Sequence, residues 1–337
     1  CVKIFGEEED MKIAVIDNDK ITNRNVEDIK LQGRKGAIVK VLGCGLCGSD
    51  IVKFREKISK NGTVLGHEIV AQIVEINSDT DFKTGDKIVT SHHIPCGVCN
   101  YCKHGNVSMC THFKSTNIRP GGFSELVYVS DEHLKNVAYK IPDNLTEVEA
   151  SFYEPLGCCV RAVKRAALME NSSVLVVGLG SIGILMAQAL KAFGMKVTGC
   201  DLLPERINFL KNLGIDAVDS RDLPENSEFD AIFMTSGADK ALEVALKAVR
   251  NGGTILVFSS TPKNSGYPNN EIYYRELTVL GSYSPAPVDL KDSLKLLEEG
   301  KVIVKNISTE YPMDKIQQAF DDTITNKIMK AYIKIND

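Results

Sequence analysis

The stretch SSVLVVGLGSIGILMAQALKAFGMKVTGCD, residues 172–201, decides the fold. It contains an apolar run, a glycine-rich turn, a segment with helical spacing of apolar residues, and a second apolar run that ends in an acid. This order predicts a strand, a turn, a helix and a second strand. Further along, FDAIFMTSG, GGTILVFSS and ELTVLGSYS have the composition of buried strands, and KALEVALKAVR that of a helix. Alternating strands and helices predict a doubly wound parallel sheet, which we place over residues 156–286.

The turn in this stretch has the pattern GxGxxG. It follows an apolar strand and opens a helix, and this context indicates a Rossmann dinucleotide-binding turn. The first glycine makes the tight turn, the second lets the backbone approach a pyrophosphate, and the third lets the helix pack closely. The N-terminus of the helix offers N–H groups and a positive partial charge to the phosphates. The predicted cofactor-binding residues are therefore Gly178, Leu179, Gly180, Ser181, Ile182 and Gly183.

An acid and a base follow the turn. Asp201 ends the second strand, where a carboxylate can accept hydrogen bonds from the adenosine ribose hydroxyls. It would also repel a 2′-phosphate, so we expect NAD rather than NADP. Arg206 follows shortly after Asp201, and we expect it to cover the adenine rather than to clamp a phosphate.

A lobe at residues 95–111 carries four cysteines with the spacing C-x2-C-x2-C-x7-C. A disulfide knot, an iron–sulfur cluster and a zinc site are the alternatives. Closely spaced cysteines in a chain without a secretion signal more often bind metal than pair, and iron–sulfur ferredoxins continue with x3-C-P. We therefore predict a closed, tetrahedral structural zinc site at Cys96, Cys99, Cys102 and Cys110. Because the cysteines fill all four positions, we expect the nearby histidines to be surface residues: His92, His93, His104 and His112.

The remaining sequence predicts a second domain. Before Pro142, short apolar runs alternate with Gly, Asp or Pro, as is typical of small β-barrels. Residues 145–168 have helical spacing and are predicted to bridge two domains. The C-terminal helices and last strand could return to the first domain, which would then comprise residues 11–155 and 287–337. Residues 1–10 are interpreted as a possible N-terminal extension.

This first domain also contains a candidate for an open metal site. Cys47 and His67 are a thiolate and an imidazole that two strands could bring to one ion. A catalytic zinc needs three protein ligands and one exchangeable position. The third ligand is either Glu68, beside the histidine, or Glu154, whose burial in an apolar stretch would be costly unless it were paired or metal-bound.

The composition of the 337 residues excludes several function classes. The formal net charge of −4 gives no basic surface for nucleic acid. No apolar run approaches the eighteen or so residues of a membrane span. The opening CVKIFGEEED lacks the apolar core of a signal peptide, so we expect a cytoplasmic protein.

Taken together, these motifs resemble the zinc-containing medium-chain alcohol dehydrogenases, and most closely their polyol branch of sorbitol, threonine and sugar-alcohol-phosphate dehydrogenases. The resemblance rests on GLCGSD, GHE, the four-cysteine lobe, GGFSELVYV, EPLG, VVGLGSIG and the acid at Asp201. It implies an α/β chain with a GroES-like β-barrel catalytic domain and a Rossmann domain, with the active site between them. It also implies a homodimer or homotetramer, whose Rossmann sheets join at an edge strand within ELTVLGSY.

The same resemblance implies roles for single residues. Cys47 and His67 correspond to the family's catalytic zinc ligands, Glu154 to the carboxylate found where ethanol-type enzymes place a third cysteine, and Glu68 to a glutamate that can itself ligate. Ser49 corresponds to the hydroxyl that takes the alcohol proton, and Asp50 supports the ligands from behind. Three positions depart from the family pattern. Val52 replaces a relay histidine, Ala71 replaces a glycine three residues after GHE, and Arg161 replaces a histidine after EPLG, where it meets cofactor phosphates or faces solvent.

The predicted activity is hydride transfer from a secondary alcohol to NAD, giving a ketone. The alcohol would be a polyol, a sugar-alcohol phosphate or an amino alcohol, and each chain would hold two zinc ions, one catalytic and one structural. Lys53 and Arg55 either hold an anionic group of the substrate or are solvated charges on a short helix. The alternative function is a non-catalytic, zinc-stabilised NAD-binding sensor of the same fold. A zinc-free quinone reductase is disfavoured, because such proteins usually lack the cysteine lobe.

Overall fold

A computed structural model describes residues 10–224, 227–260, 266 and 268–336. Its contacts divide the chain into two compact units. The first comprises the residues up to Glu154 together with those from Val304 onward, and the second is Pro155–Ile303. Of the suggested N-terminal extension, residues 1–9 lie outside the described residues, and Asp10 already belongs to the first strand.

The first unit is mainly β. Its strands are β1 (Asp10–Asp17), β2 (Lys20–Glu27), β3 (Gly36–Gly45), β4 (Glu68–Asn77), β5 (Lys87–Thr90), β6 (Leu126–Ser130), β7 (Ala138–Lys140), β14 (Ser308–Pro312) and β15 (Lys330–Lys334). Its helices are α1 (Gly48–Arg55), α2 (Asn100–Lys103), α3 (Thr111–Ser115), α4 (Asp131–Asn136), α5 (Glu147–Ala150) and α12 (Ile316–Ile324), with short 3₁₀ helices at Val107–Met109 and Met313–Lys315. Helix α6 (Tyr153–Ala166) begins in this unit and continues into the second.

Strand β3 is the centre of this unit. The strands hydrogen-bond in the order β14-β15-β3-β4-β5-β7, and β6 also pairs with β3, while β1 and β2 form a separate hairpin. Because β3 has neighbours along both edges, its sequence GAIVKVLGCG is apolar on both faces, and only Lys40 is not fully buried. The strand β15, near the C-terminus, pairs with the end of β3 that precedes Cys47, at Gly43, Cys44 and Gly45. This pairing brings residues from opposite ends of the chain to the predicted metal site.

The second unit is a doubly wound α/β unit. Its strands are β8 (Ser173–Val177), β9 (Lys196–Asp201), β10 (Asp216–Asp219), β11 (Phe229–Met234), β12 (Val249–Val257) and β13 (Thr278–Gly281), and its helices are α7 (Ser181–Ala192), α8 (Pro204–Asn212), α9 (Asp239–Ala248), α10 (Asn269–Tyr274) and α11 (Pro287–Glu298). All six strands are parallel, in the order β10-β9-β8-β11-β12-β13. The chain starts at the central β8 and winds outward in both directions, which is the arrangement of dinucleotide-binding sheets.

Two predicted boundaries differ from the observed ones. The helical stretch 145–168 is two helices, α5 and α6, because α5 ends at Ala150 and a turn separates them. Helix α11 belongs to the second unit, whereas the sequence interpretation assigned everything after residue 286 to the first. The reason is packing: Lys164 of α6 lies 2.9 Å from Asp289 and 2.6 Å from Asp292, both on α11. Among the described residues, no helix combines the length and apolarity that crossing a lipid bilayer demands.

Candidate active site and metal centres

The thiol of Cys47 is held at the start of helix α1. Cys47 is the N-cap residue, and its sulfur accepts hydrogen bonds from Ser49 N (3.5 Å) and Ser49 Oγ (3.3 Å). In turn, the carboxylate of Asp50 accepts a hydrogen bond from Cys47 N (3.3 Å). This reciprocal capping fixes the direction of the Cys47 side chain.

His67 lies immediately before β4, and Asp50 orients its ring. Asp50 Oδ1 is 3.5 Å from His67 Nδ1, and both side chains are buried. Burial alone would lower the pKa of His67, but Asp50 and Cys47 raise it well above its usual value. The surroundings therefore favour a positive charge at the ring, as they would favour a bound cation. With Nδ1 facing the carboxylate, Nε2 remains for a metal, which is the usual carboxylate–histidine–metal arrangement.

Glu68 is the second acid at this site. One ligand atom each of Cys47, His67 and Glu68 lie within 4.8 Å of one another, as a metal site requires. The Glu68 carboxylate, however, is also paired with Lys330, whose Nζ lies 2.5 Å from Oε2. There is room for that carboxylate because residue 45 is a glycine: a Cβ there would lie 2.1 Å from Glu68 Oε2.

Glu154 also lies beside His67, although it comes from a part of the chain far from Glu68. It is the second residue of α6 and is buried. One ligand atom each of His67, His92 and Glu154 form another group within 4.8 Å. Two overlapping sets of donors therefore share His67. Which of the two glutamates ligates, and the roles assigned to Ser49 and Cys47, stay predictions.

The interpretation of all four flanking histidines as surface residues is wrong for two of them. The rings of His67 and His92 lie 4.4 Å apart, those of His92 and His93 3.9 Å apart, and His93 packs on Phe113 at 4.7 Å. His93 Nδ1 donates to Thr116 O at 2.6 Å. The chain from β5 toward the lobe passes directly over His67, which residue spacing along the sequence does not indicate. His104 is exposed, and His112 is half-buried with its Nε2 3.1 Å from a Glu132 oxygen.

The four lobe cysteines converge as the spacing predicts. One sulfur from each lies within 4.8 Å of the others, and all four are free thiols rather than disulfides. Cys99 N donates to Cys96 Sγ (3.4 Å) and Cys96 N to Cys110 Sγ (3.5 Å). Although burial opposes it, these backbone N–H groups help to lower the pKa of Cys110 to about 6, while burial raises that of Cys102 to about 12. At Cys110 the backbone therefore stabilises the thiolate, which is the form that binds metal.

The glycine-rich turn connects β8 with α7, and its six residues lie where the pattern predicts. Gly178 has φ +94°, a conformation that residues with a side chain rarely adopt. A Cβ at Gly183 would lie 1.9 Å from Gly178 O, so only glycine allows the helix to begin this close to the strand. Gly180 caps α7 with no side chain, which leaves the first N–H groups of that helix available.

Asp201 stabilises the same turn. Its Oδ2 accepts from Leu179 N at 2.6 Å, and its Oδ1 accepts from Leu202 N (2.7 Å) and Leu203 N (3.0 Å). Arg206 lies close by, with Nη1 3.7 Å from Asp201 Oδ2. A cavity of about 230 Å³ opens here, lined among others by Gly178, Gly180, Asp201, Arg206 and Lys240.

Arg161 does not face solvent. It is buried, and its Nη1 donates to the backbone oxygens of Tyr283 (3.1 Å) and Ser284 (2.9 Å). It therefore ties α6 to the segment after β13. Lys53 is half-buried in the last turn of α1 and Arg55 is exposed, which leaves both interpretations of these charges open.

The sequence interpretation missed two residues of this site. Lys330 sits in a stretch, MKAYIKI, that is recognisable only as a strand, and nothing local connects it with Glu68. His92 was set aside because the cysteine lobe beside it has a complete ligand set. The signal that was available is the pair of adjacent histidines at the end of a β-strand, close to a metal lobe.

Comparisons with known proteins agree with this geometry. Residues 33–143 match the family model of the alcohol dehydrogenase GroES-like domain, and residues 181–299 match that of the zinc-binding dehydrogenases. D-altritol 5-dehydrogenase of Agrobacterium fabrum is 30% identical over 314 residues, which are 88% of this chain and 92% of that protein. The chain belongs to the zinc-containing medium-chain alcohol dehydrogenases.

Other members of the family show the same extent of likeness. D-arabitol-phosphate dehydrogenase of Enterococcus avium is 29% identical to this dehydrogenase over 320 residues, 89% of this chain and 90% of that one. The crystal structure of a zinc-binding dehydrogenase from Sinorhizobium meliloti bound to NADP superposes with a TM-score of 0.86 at 24% identity, and covers 97% of this chain and 100% of that chain. That structure shows the shared fold.

The family, the fold class and the enzyme class expected from the sequence are thereby confirmed. This chain is a zinc-dependent dehydrogenase of the polyol branch, with a GroES-like domain and a Rossmann domain, and it uses a nicotinamide cofactor. The alternative of a non-catalytic sensor is disfavoured, because the named relatives are dehydrogenases.

Proposed function

We propose that this dehydrogenase oxidises a secondary alcohol group of a polyol or sugar-alcohol phosphate to a ketone, reversibly, with NAD as the hydride acceptor. The observation that carries the proposal is that His67 belongs to two overlapping groups of close donor atoms in the first unit, one with Cys47 and Glu68 and one with His92 and Glu154. A thiolate, an imidazole and a carboxylate form the mixed donor set of an open, catalytic zinc site.

The residues fit a divalent cation. Asp50 and Cys47 both raise the pKa of His67 and so favour positive charge there, and His92 Nδ1 is buried without a hydrogen-bond partner. Bound there, zinc would supply Lewis-acid activation of the substrate hydroxyl. The four lobe cysteines would hold the second, structural zinc, a closed site with no position for substrate.

The neighbouring side chains then serve the reacting hydroxyl. Ser49 is exposed, and its hydroxyl lies 3.3 Å from Cys47 Sγ, so it is placed to accept the alcohol proton beside the metal ligands. Asp50 acts through His67: it is fully buried and holds the ring in one orientation. Val52 is exposed and cannot pass a proton on, so the proton would leave through water or the nicotinamide ribose.

The preference for NAD rests on Asp201. It ends β9 beside the glycine turn, and its carboxylate would repel the 2′-phosphate of NADP while accepting from ribose hydroxyls. Arg206 is proposed to cover the adenine, since it borders the same cavity.

The substrate class comes from the relatives. One is named for an arabitol phosphate and one for altritol, and both names denote polyols. We would also test an amino alcohol such as threonine, which likewise carries a secondary hydroxyl group. Lys53, half-buried near the cluster of histidines, is the candidate contact for an anionic substrate group.

We further propose a cytoplasmic homodimer or homotetramer joined through β13. This strand is an edge of the six-stranded sheet, and Val279 and Tyr283 in and after it are exposed apolar side chains. An unpaired edge with apolar neighbours is a surface that strand pairing with a second copy would cover.

The test is the replacement Cys47→Ser, with a panel of polyols, their phosphates and threonine followed by NADH absorbance. We expect turnover to be lost, zinc to fall from two ions per chain to one, and cofactor binding to persist. Cys44→Ala, which removes a buried thiol outside both donor sets, is the matched control and should keep two ions. Activity of the Cys47→Ser enzyme above a few per cent would contradict the assignment.

A further inference from the structure

We propose that His92 is a fourth protein ligand of the catalytic metal in the alcohol-free enzyme. The inference rests on the proposed function, because it concerns the same ion. The proposed function leaves one coordination position of the metal exchangeable. The further inference is that the His92 side chain fills this position until the substrate binds.

The distances bring His92 within range of the other ligands. One nitrogen of His92 lies within 4.8 Å of the donor atoms of both His67 and Glu154. Zinc–nitrogen and zinc–oxygen bonds of about 2.0–2.2 Å place donor atoms of one tetrahedral site about 3.3–3.6 Å apart. Donor atoms within 4.8 Å of one another therefore need to approach by at most about 1.2–1.5 Å, which side-chain rotations provide.

The ring of His92 is held in place but not satisfied. His133 Nε2 donates to the backbone oxygen of His92 at 3.1 Å, and His133 Nδ1 accepts from the Ser130 hydroxyl at 2.7 Å. These two bonds fix the tautomer of His133 and hold the backbone of His92 in place. The ring is stacked between those of His67 and His93. Yet His92 Nδ1 is buried without a hydrogen-bond partner. A buried, unpartnered polar atom costs free energy, and ring rotation toward a metal would remove that cost.

The number of available donors also favours His92. Cys47, His67 and one of the two glutamates supply the three protein ligands of an open zinc site, and zinc takes four. His92, whose nitrogen lies in one donor group with His67 and Glu154, would supply the fourth. A substrate hydroxyl would then have to displace His92, which would swing aside within the stack. His92 would thus be both a ligand and a group beside the bound alcohol.

The test counts the ligating histidines directly. Cadmium replaces zinc in the full-length chain, histidine ring nitrogens are isotope-labelled, and cadmium–nitrogen scalar couplings are recorded by NMR without substrate. The cysteine lobe contributes no histidine ligand, so it adds no such coupling. We expect two coupled histidines in the wild-type chain, one in His92→Gln, and two in His93→Asn. His93 is the matched control because its ring lies next to that of His92, whereas its Nδ1 already donates to Thr116 O.

The outcomes separate the two proposals. Coupling to a single histidine in the wild-type chain overturns the role of His92 and leaves the proposed function intact. Coupling to none means that no metal sits at His67, and the proposed function fails. The wild-type spectrum decides both points even if a variant does not fold. As a second readout, metal affinity at this site should fall at least about tenfold in His92→Gln, since even outer contacts of metal ligands contribute that much.

Discussion

Lys330 and Glu68 form a buried ion pair beside the predicted metal ligands. Lys330 Nζ lies 2.5 Å from Glu68 Oε2, and the two side chains are only 5% and 1% exposed. Lys330 Nζ also donates to Leu46 O at 3.3 Å, and burial alone would lower its pKa, but Glu68 raises it. Strands β15 and β4 are not neighbours in the described sheet; each pairs with β3, and the ion pair spans that strand. The pair places a counter-charge beside the Glu68 carboxylate, next to the predicted metal ligands.

Removing the lysine should therefore cost much stability. In Lys330→Met the Glu68 carboxylate is left buried without a counter-charge, and we expect a loss of about 3–5 kcal/mol in the free energy of unfolding. Urea titration followed by circular dichroism measures it. The double variant Lys330→Met/Glu68→Gln should recover most of the loss, because it removes both charges. If the loss of stability in the double variant equals the sum of the losses in Lys330→Met and Glu68→Gln, the pair does not interact as described.

Replacing Asp201 should change cofactor choice. In Asp201→Ala the turn loses the acceptor for Leu179 N, and NAD loses a charged partner for its ribose. Hydrogen bonds to charged groups contribute about 1.5–3 kcal/mol, so KM for NAD should rise about 10- to 150-fold while NADP is used relatively better. Asp201→Asn keeps an acceptor oxygen but not the charge, and it is the control. Its KM for NAD should lie between those of the wild type and Asp201→Ala. An unchanged ratio of kcat/KM for NAD over NADP would rule out this role.

The cysteine lobe should be separable from catalysis. Cys102→Ser removes one sulfur from the convergent four, and we expect one zinc per chain to be lost and the melting temperature to fall. Zinc analysis and thermal unfolding measure this, and NAD binding by the second unit should be unchanged. Tyr101→Ala, an exposed neighbour in α2, is the control that keeps all four sulfurs. Retention of both ions in Cys102→Ser would show that this sulfur is not a ligand.

His93 should make stability depend on acid. Burial lowers the pKa of His93 to about 4, against an ordinary value of about 6.5, so its neutral form is favoured in the folded chain. The unfolded chain therefore binds more protons between these values, and the contribution of His93 is present above about pH 6.5 and lost as the pH falls toward about 4. In His93→Asn the difference from wild type in free energy of unfolding should shrink across that window. A difference that stays constant from pH 7 to 4 would contradict the shift.

Much of the fold and part of the site could be predicted because the signals are local. The strand–glycine–helix pattern at Gly178 specifies its own backbone, and Asp201 follows within one βαβ unit. The four lobe cysteines converge within sixteen residues, where turn geometry alone brings sulfurs together. The boundary after residue 286 was misplaced, because the periodicity of α11 indicates a buried apolar face but not which unit that face packs against.

The sequence by itself determined the family, the two kinds of domain, the nucleotide turn and the lobe, since each depends on residues close together in the chain and on backbone conformations that only those residues adopt. Only the tertiary structure decided that His92 and Lys330 join the predicted residues near His67. Asp50, Glu68, His92, Glu154 and Lys330 come from five separate segments, and sheet pairing around β3 brings them to one place. The physical reason is that burial makes each charge depend on its nearest partner, and those partners are neighbours in space rather than in sequence.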